Sequence, residues 1–158
     1  MRIALDARTV ARLIEGDPPH LRVRMDEALA RGHELVMSSL VLHELAYAAL
    51  ASEHAARKLA QLDAFIAQVE VIPWTSEDAL TAARLRADQD MHGAGKFGLG
   101  LAELQCAGQA LNNDWAVIAA EGAPHLGGAP QPLRRRIASA TGPFQGLRTI
   151  DWSAPDDD

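Results

Sequence analysis

Short apolar runs alternate with segments of helical period along almost the whole of this chain. The runs are Arg2–Leu5, "HELVM" at 33–37, "VEVIPW" at 69–74, "WAVIAA" at 115–120 and "LRTIDW" at 147–152. Each is too short for a helix and reads as a buried strand. Between them lie helical segments at Thr9–Ile14, Leu21–Arg31, 40–51, 54–68, 77–91 and 101–111. Strands that alternate with helices need crossover connections, so the sheet is parallel and covered on both faces. The expected architecture is a three-layer α/β/α sandwich around a mainly parallel sheet of four to five strands.

Local signals set the element boundaries. "EGDPPH" at 15–20 carries a Gly and paired prolines that cannot continue a helix. Ser38 and Ser39 are N-caps for "LVLHELAYAALA", and Thr75 or Ser76 caps the helix that opens with Glu77 and Asp78, where the helix dipole favours acids. In the 54–68 segment Leu59, Leu62, Phe65 and Ile66, followed by Val69, form a buried stripe. "HGAGKFGLG" at 92–100 is a glycine-rich loop leading into the next helix. Residues 122–146 are rich in Gly and Pro, contain "RRR" at 134–136, and read as a long loop or insertion. One domain over 1–152, followed by an acidic tail at 153–158, fits a chain of 158 residues.

Charge and cysteine content narrow the functional classes only slightly. The net charge is −6. Seven of the 21 acids are the tail Asp156, Asp157 and Asp158 and four residues singled out below, and the other 14 face 15 Lys and Arg. A nucleic-acid partner is therefore not excluded. No apolar run reaches the roughly 18 to 20 residues needed to span a bilayer. "MRIALDART" lacks the apolar stretch of a secretory signal. The single cysteine, Cys106, cannot form an internal disulfide. A cytoplasmic protein with no membrane partner is expected.

In an open parallel sheet, ligands bind beyond the carboxyl ends of the strands, near the reversal of strand order. Four acids fall where that rule directs attention. Asp6 ends the first strand, Glu44 lies in the second turn of the helix after the second, Glu103 opens the helix before the fourth, and Glu121 follows the fourth. Glu103 shares a helical face with Cys106, Ala107 and Ala110, an apolar stripe on which a lone carboxylate is costly. Converging carboxylates repel one another unless a cation compensates them. Mg²⁺ suits oxygen ligands, holds phosphates and lowers the pKa of a bound water. Each acid also has a plainer account: Asp6 as a turn residue, Glu44 as a surface glutamate, Glu103 as a partner of the helix dipole, Glu121 as a solvated loop acid. The remaining His and Cys residues lack metal-ligand spacing, and "GLGLAE" lacks the third glycine of a dinucleotide fingerprint.

Taken in order, "IALDAR", "MSSLVLHELAYAAL", "GLGLAELQCAGQAL" and "FQGLRTIDW" resemble PIN-domain ribonucleases, specifically the VapC-type toxins of bacterial toxin–antitoxin pairs. The resemblance runs through residues 1 to 152. It implies a PIN-like sandwich that acts as an endoribonuclease with Mg²⁺ or Mn²⁺, and it maps the family's acids onto Asp6, Glu44, Glu103 and the more variable Glu121. It also implies a homodimer, an RNA substrate, and a cognate antitoxin whose tail enters the active site, with DNA met only through that antitoxin. Three departures stand out. Ala7 and Arg8 replace the small hydroxyl residue and the Asn or Ser that usually follow the first Asp. "AAEG" at 119–122 replaces a hydroxyl-bearing turn, and Glu103 stands where Asp is usual. These leave an alternative, a catalytically degenerate PIN fold that binds protein or RNA. A phosphatase of the haloacid dehalogenase kind would want a second Asp where Arg8 stands.

Overall fold

The computed structural model describes residues 1–91, 100–118, 145–150 and 152. Within them, five strands and six helices follow one another as β1 (Arg2–Leu5), α1 (Ala7–Glu15), α2 (Pro19–Ala30), β2 (Glu34–Ser38), α3 (Ser39–Leu50), α4 (Ala55–Ile66), β3 (Glu70–Ile72), α5 (Ser76–Met91), α6 (Leu101–Asn112), β4 (Ala116–Ile118) and β5 (Arg148–Ile150). Residues 92–99 of the glycine-rich loop, almost all of the 122–146 stretch, Glu121 and the acidic tail lie outside the described residues.

All the strand pairings are parallel, in the order β3-β2-β1-β4-β5. Strand order therefore reverses at β1, which pairs with β2 on one side and β4 on the other. The expected parallel sheet is present, with five strands. The third and fifth strands are shorter than their apolar runs. Pro73 offers no N–H to a ladder, and β3 stops at the residue before it.

Period-two alternation sorts the strand side chains into two cores. Ile3, Leu5, Leu35, Met37 and Ile118 face one side, where Val10 and Leu13 of α1, Leu21 and Met25 of α2, Val41 of α3 and Phe65 of α4 close over them. Ala4, Val36 and Val117 face the other, beneath Leu85 of α5 and Leu104, Ala107 and Ala110 of α6. Among the described residues the sandwich thus has four helices on one face and two on the other. The smaller side chains on the second face accompany a close α5–α6 pair: a Cβ on Gly108 would stand 2.7 Å from the backbone of Ala82.

Helix ends follow the local chemistry. Gly16, with φ of 75°, takes the left-handed conformation that closes α1, and Pro19 opens α2. Thr75 caps α5 through its hydroxyl, which accepts from the Asp78 N–H at 3.2 Å. Of the α4 stripe, Leu62 and Phe65 are buried and Leu59 and Ile66 half-buried.

Candidate active site

One cleft of about 380 Å³ lies at the carboxyl end of the sheet, beyond β1 and β2. Three helices begin on its wall. α1 starts after Asp6, α3 after Ser38 and α6 after Gly100, and all three of these N-cap residues line the cleft. Each helix start carries a partial positive charge of roughly half a unit. The local sequence dictates these starts. Asp6 Oδ1 accepts from the Thr9 N–H at 2.8 Å, and Ser38 Oγ from the Leu40 N–H at 3.2 Å. Glycine at 100 has no side chain to cap with, and the one side-chain bond at this start is the other half of a capping box: Glu103 accepts from the Gly100 N–H at 2.8 Å.

Asp6, Glu44 and Glu103 all line this cleft, so the fold brings together three of the four acids singled out from the sequence. Asp6 and Glu103 are half-buried, whereas Glu44 is exposed on α3. Glu121 lies outside the described residues. The apolar face behind Glu103 is as its spacing implied, with Cys106, Ala107 and Ala110 buried. Burial, followed by the negative charge of Asp6 and then Glu103, pushes the Cys106 thiol up to about 12. That thiol is protonated and unreactive at neutral pH, and its shift registers two carboxylates acting on the same spot.

Oxygen dominates the cleft's donors. Its described lining offers three carboxylates, a hydroxyl and an amide, no imidazole, and one thiol, Cys106, that is held protonated, which suits a hard divalent cation better than zinc or copper. Among the described residues, no three of His, Cys, Asp and Glu are gathered closely enough to hold an ion. In these side-chain positions Asp6 and Glu103 each give an oxygen to a helix N–H. The donor types fit such a cation, and both carboxylates keep a second oxygen beyond the cap bond.

Sequence reasoning missed a second acidic centre. Asp78, read as a dipole acid in the first turn of α5, is 1% exposed. Its carboxylate accepts from Thr75 N (3.0 Å), Gln109 Nε2 (3.1 Å), Asn112 Nδ2 (2.9 Å) and Asn113 Nδ2 (3.1 Å). Burial pushes its pKa up, but the Asn112, Thr75 and Gln109 hydrogen bonds together outweigh that and hold it below the usual carboxylate range. Gln109, also 1% exposed, donates in addition to the Pro73 carbonyl at 3.0 Å. This network ties α6 to the β3–α5 turn, away from the cleft lining. Its one signal in the sequence is the Thr75-x-x-Asp78 spacing of a capping box.

Comparison with known proteins places this architecture. The family model described as "PIN domain" matches residues 3–123. The chain is 31% identical over 88 residues to the tRNA(fMet)-specific endonuclease VapC of Salmonella typhimurium, a match spanning 56% of this chain and 64% of that protein. Among solved structures, VapBC2 of Rickettsia felis bound to a promoter DNA fragment superposes with a TM-score of 0.75 at 20% identity, covering 97% of this chain and 100% of that one. DNA-bound VapBC of Salmonella typhimurium gives 0.72 at 24% identity, covering 96% and 98%. VapBC-1 of nontypeable Haemophilus influenzae gives 0.70 at 20%, with the same coverage. At these identities the structures report the shared fold. The family model spans β1, the reversal of strand order, Asp6 and the helices that carry Glu44 and Glu103, and by that match the chain belongs to the PIN domain family.

Proposed function

We propose that this chain is a divalent-metal-dependent endoribonuclease acting as the toxin of a toxin–antitoxin pair. The observation that carries the reading is the convergence of Asp6, Glu44 and Glu103 on one cleft at the reversal of strand order. Asp6, Glu44 and Glu103 would hold Mg²⁺ or Mn²⁺ directly or through water, with Glu121 assisting. When bound, the ion supplies charge neutralisation for a phosphodiester and a lowered pKa for an attacking water. The chain itself does the positioning. The Asp6 and Ser38 caps fix the first turns of α1 and α3, and the Glu103–Gly100 bond fixes that of α6. Cys106, protonated and buried beneath the carboxylates, offers no nucleophile, and in this reading the attacking group is a water, with no covalent enzyme intermediate.

The likeness to a VapC tRNA endonuclease and to VapBC structures supports a cognate antitoxin and an RNA substrate as partners. The test is cleavage of RNA by the purified protein with and without Mg²⁺, beside Asp6→Asn and Glu103→Gln. Loss of at least a hundredfold in both variants is expected. Cleavage at the parental rate would remove these acids from the chemistry.

One observation favours a second reading, a PIN fold that binds without cutting. Asp6 and Glu103 both spend an oxygen on a helix cap, and no three acids of the described residues are gathered around one point. Growth arrest on expression that persists in Asp6→Ala would select this reading.

A further inference from the structure

We infer that one peptide group, between Pro73 and Trp74, is the strut that spaces Glu44 from Glu103, with Ser39 and Gln109 as the positioning residues that grip it; this rests on the metal-dependent reading above. The two acids ride on separate helices, Glu44 in the second turn of α3 and Glu103 at the start of α6. Those helices cover opposite faces of the sheet: Val41 of α3 belongs to one core and Leu104 of α6 to the other. The sheet sets their rough placement, and a fine adjustment needs a group that touches both.

The Pro73–Trp74 peptide does. Its carbonyl accepts from Gln109 Nε2 of α6 at 3.0 Å, and its N–H donates to Ser39 Oγ of α3 at 3.0 Å. A peptide group is planar, so these two contacts cannot shift independently. β3 ends at Ile72, which leaves both polar atoms of the group outside the strand ladder. Gln109 is 1% exposed, and its amide also donates to Asp78 Oδ2 at 3.1 Å. The same oxygen accepts from the Thr75 N–H at 3.0 Å, so the turn fixes that acceptor too. Both amide hydrogens of Gln109 thus meet acceptors held by one turn. On the other side two serines divide the work: Ser38 caps α3 and lines the cleft, while Ser39 ties the same helix start to the turn.

The competing role is stability alone, and ion selectivity separates the two. Site ligands need placing to within about 0.5 Å, and Mg²⁺ tolerates less departure from ideal geometry than Ca²⁺. Mg²⁺ and Ca²⁺ binding to the metal-free full chain is measured by calorimetry for the parent, Ser39→Ala, Ser39→Thr, Gln109→Met and the Ser39→Ala/Gln109→Met pair. Ser52→Ala is the control, because the Ser52 hydroxyl donates to the Ala49 carbonyl at 2.8 Å beyond the other end of α3. Ser39→Ala is expected to bind Mg²⁺ about tenfold more weakly and Ca²⁺ nearly as the parent does. Ser39→Thr should restore Mg²⁺ binding, and Ser52→Ala should match the parent. Raising Mg²⁺ should relieve the Ser39→Ala cleavage defect at saturating RNA. Because both bonds run through one peptide, the double variant should be no weaker than the weaker single. Should Gln109→Met fail to fold, the two Ser39 variants decide alone. Parental Mg²⁺ affinity in Ser39→Ala, with RNA still cut by the parent, overturns the strut and leaves the nuclease reading intact. Equal losses for both ions, a loss shared by Ser52→Ala, or additive losses in the double variant also overturn it. A Mg²⁺ site that depends on Ser39 in a parent that cuts no RNA sustains the strut and overturns the nuclease reading. A parent that binds neither ion overturns both.

Discussion

In the proposed reading Asp6 and Glu103 each serve two ends, and their chemistry lets the two be separated. As helix caps they need an oxygen that accepts a backbone N–H. As site acids they need negative charge. Asn caps as well as Asp, and Gln replaces Glu in a capping box, so the amide variants remove the charge and keep the cap. Asp6→Asn and Glu103→Gln are therefore expected to unfold within about 0.5 kcal/mol of the parent. Asp6→Ala should lose about 1 kcal/mol from the missing cap. Denaturant unfolding checks this, and an Asp6→Asn protein as unstable as Asp6→Ala would show that the charge itself holds α1. The same double duty accounts for an acid on the apolar stripe of α6: the helix start and the Gly100 N–H compensate it locally. It also explains why Glu is serviceable at 103, since its side chain is long enough to reach back to the Gly100 N–H.

Between elements, the α5–α6 pair is locked by Asp78 at one end and by the Gly108–Ala82 contact along its length. Asp78→Ala would leave the buried amide of Gln109 with one partner fewer and is expected to cost about 3 kcal/mol at neutral pH. The pH dependence follows from the lowered pKa. A carboxyl held below its unfolded value of about 3.9 contributes stability that is fully present above that value. The contribution is lost as pH falls through the folded value. Comparison of the parent with Asp78→Asn by thermal unfolding should show a stability gap that is constant above about pH 5 and narrows below pH 4. A gap that widens in acid would mean the carboxyl is held above its unfolded value. This network was barely legible in the sequence. The Thr75-x-x-Asp78 spacing announces a cap, but nothing local says that two amides of α6 and that of its C-cap, Asn113, will meet the same carboxylate.

At the scale of the whole molecule, a cation bound to the cleft would stabilise the fold, because it binds the folded chain and not the unfolded one. At a hundred times its dissociation constant, Mg²⁺ or Mn²⁺ should add about 2.7 kcal/mol. For a domain of this size that is a rise of roughly 5–10 °C in the unfolding midpoint. Asp6→Asn should abolish the rise, and chelation should reverse it in the parent. A midpoint indifferent to either ion in the parent would argue that the acids do not hold metal.

The sequence by itself determined the alternation of strands and helices, the two faces of each strand and the residues that begin and end most helices. Periodicity and capping are local, and a few neighbouring residues decide them. It also placed an acid at the end of the first strand and at the start of the sixth helix. Only the tertiary structure decided that β1 lies between β2 and β4, so that helix starts 32 and 94 residues after that of α1 open on the same cleft. Only it placed Arg8 among the acids and turned Asp78 inward. Such contacts depend on strand order and on which helix covers which face, and no local pattern in the chain specifies either.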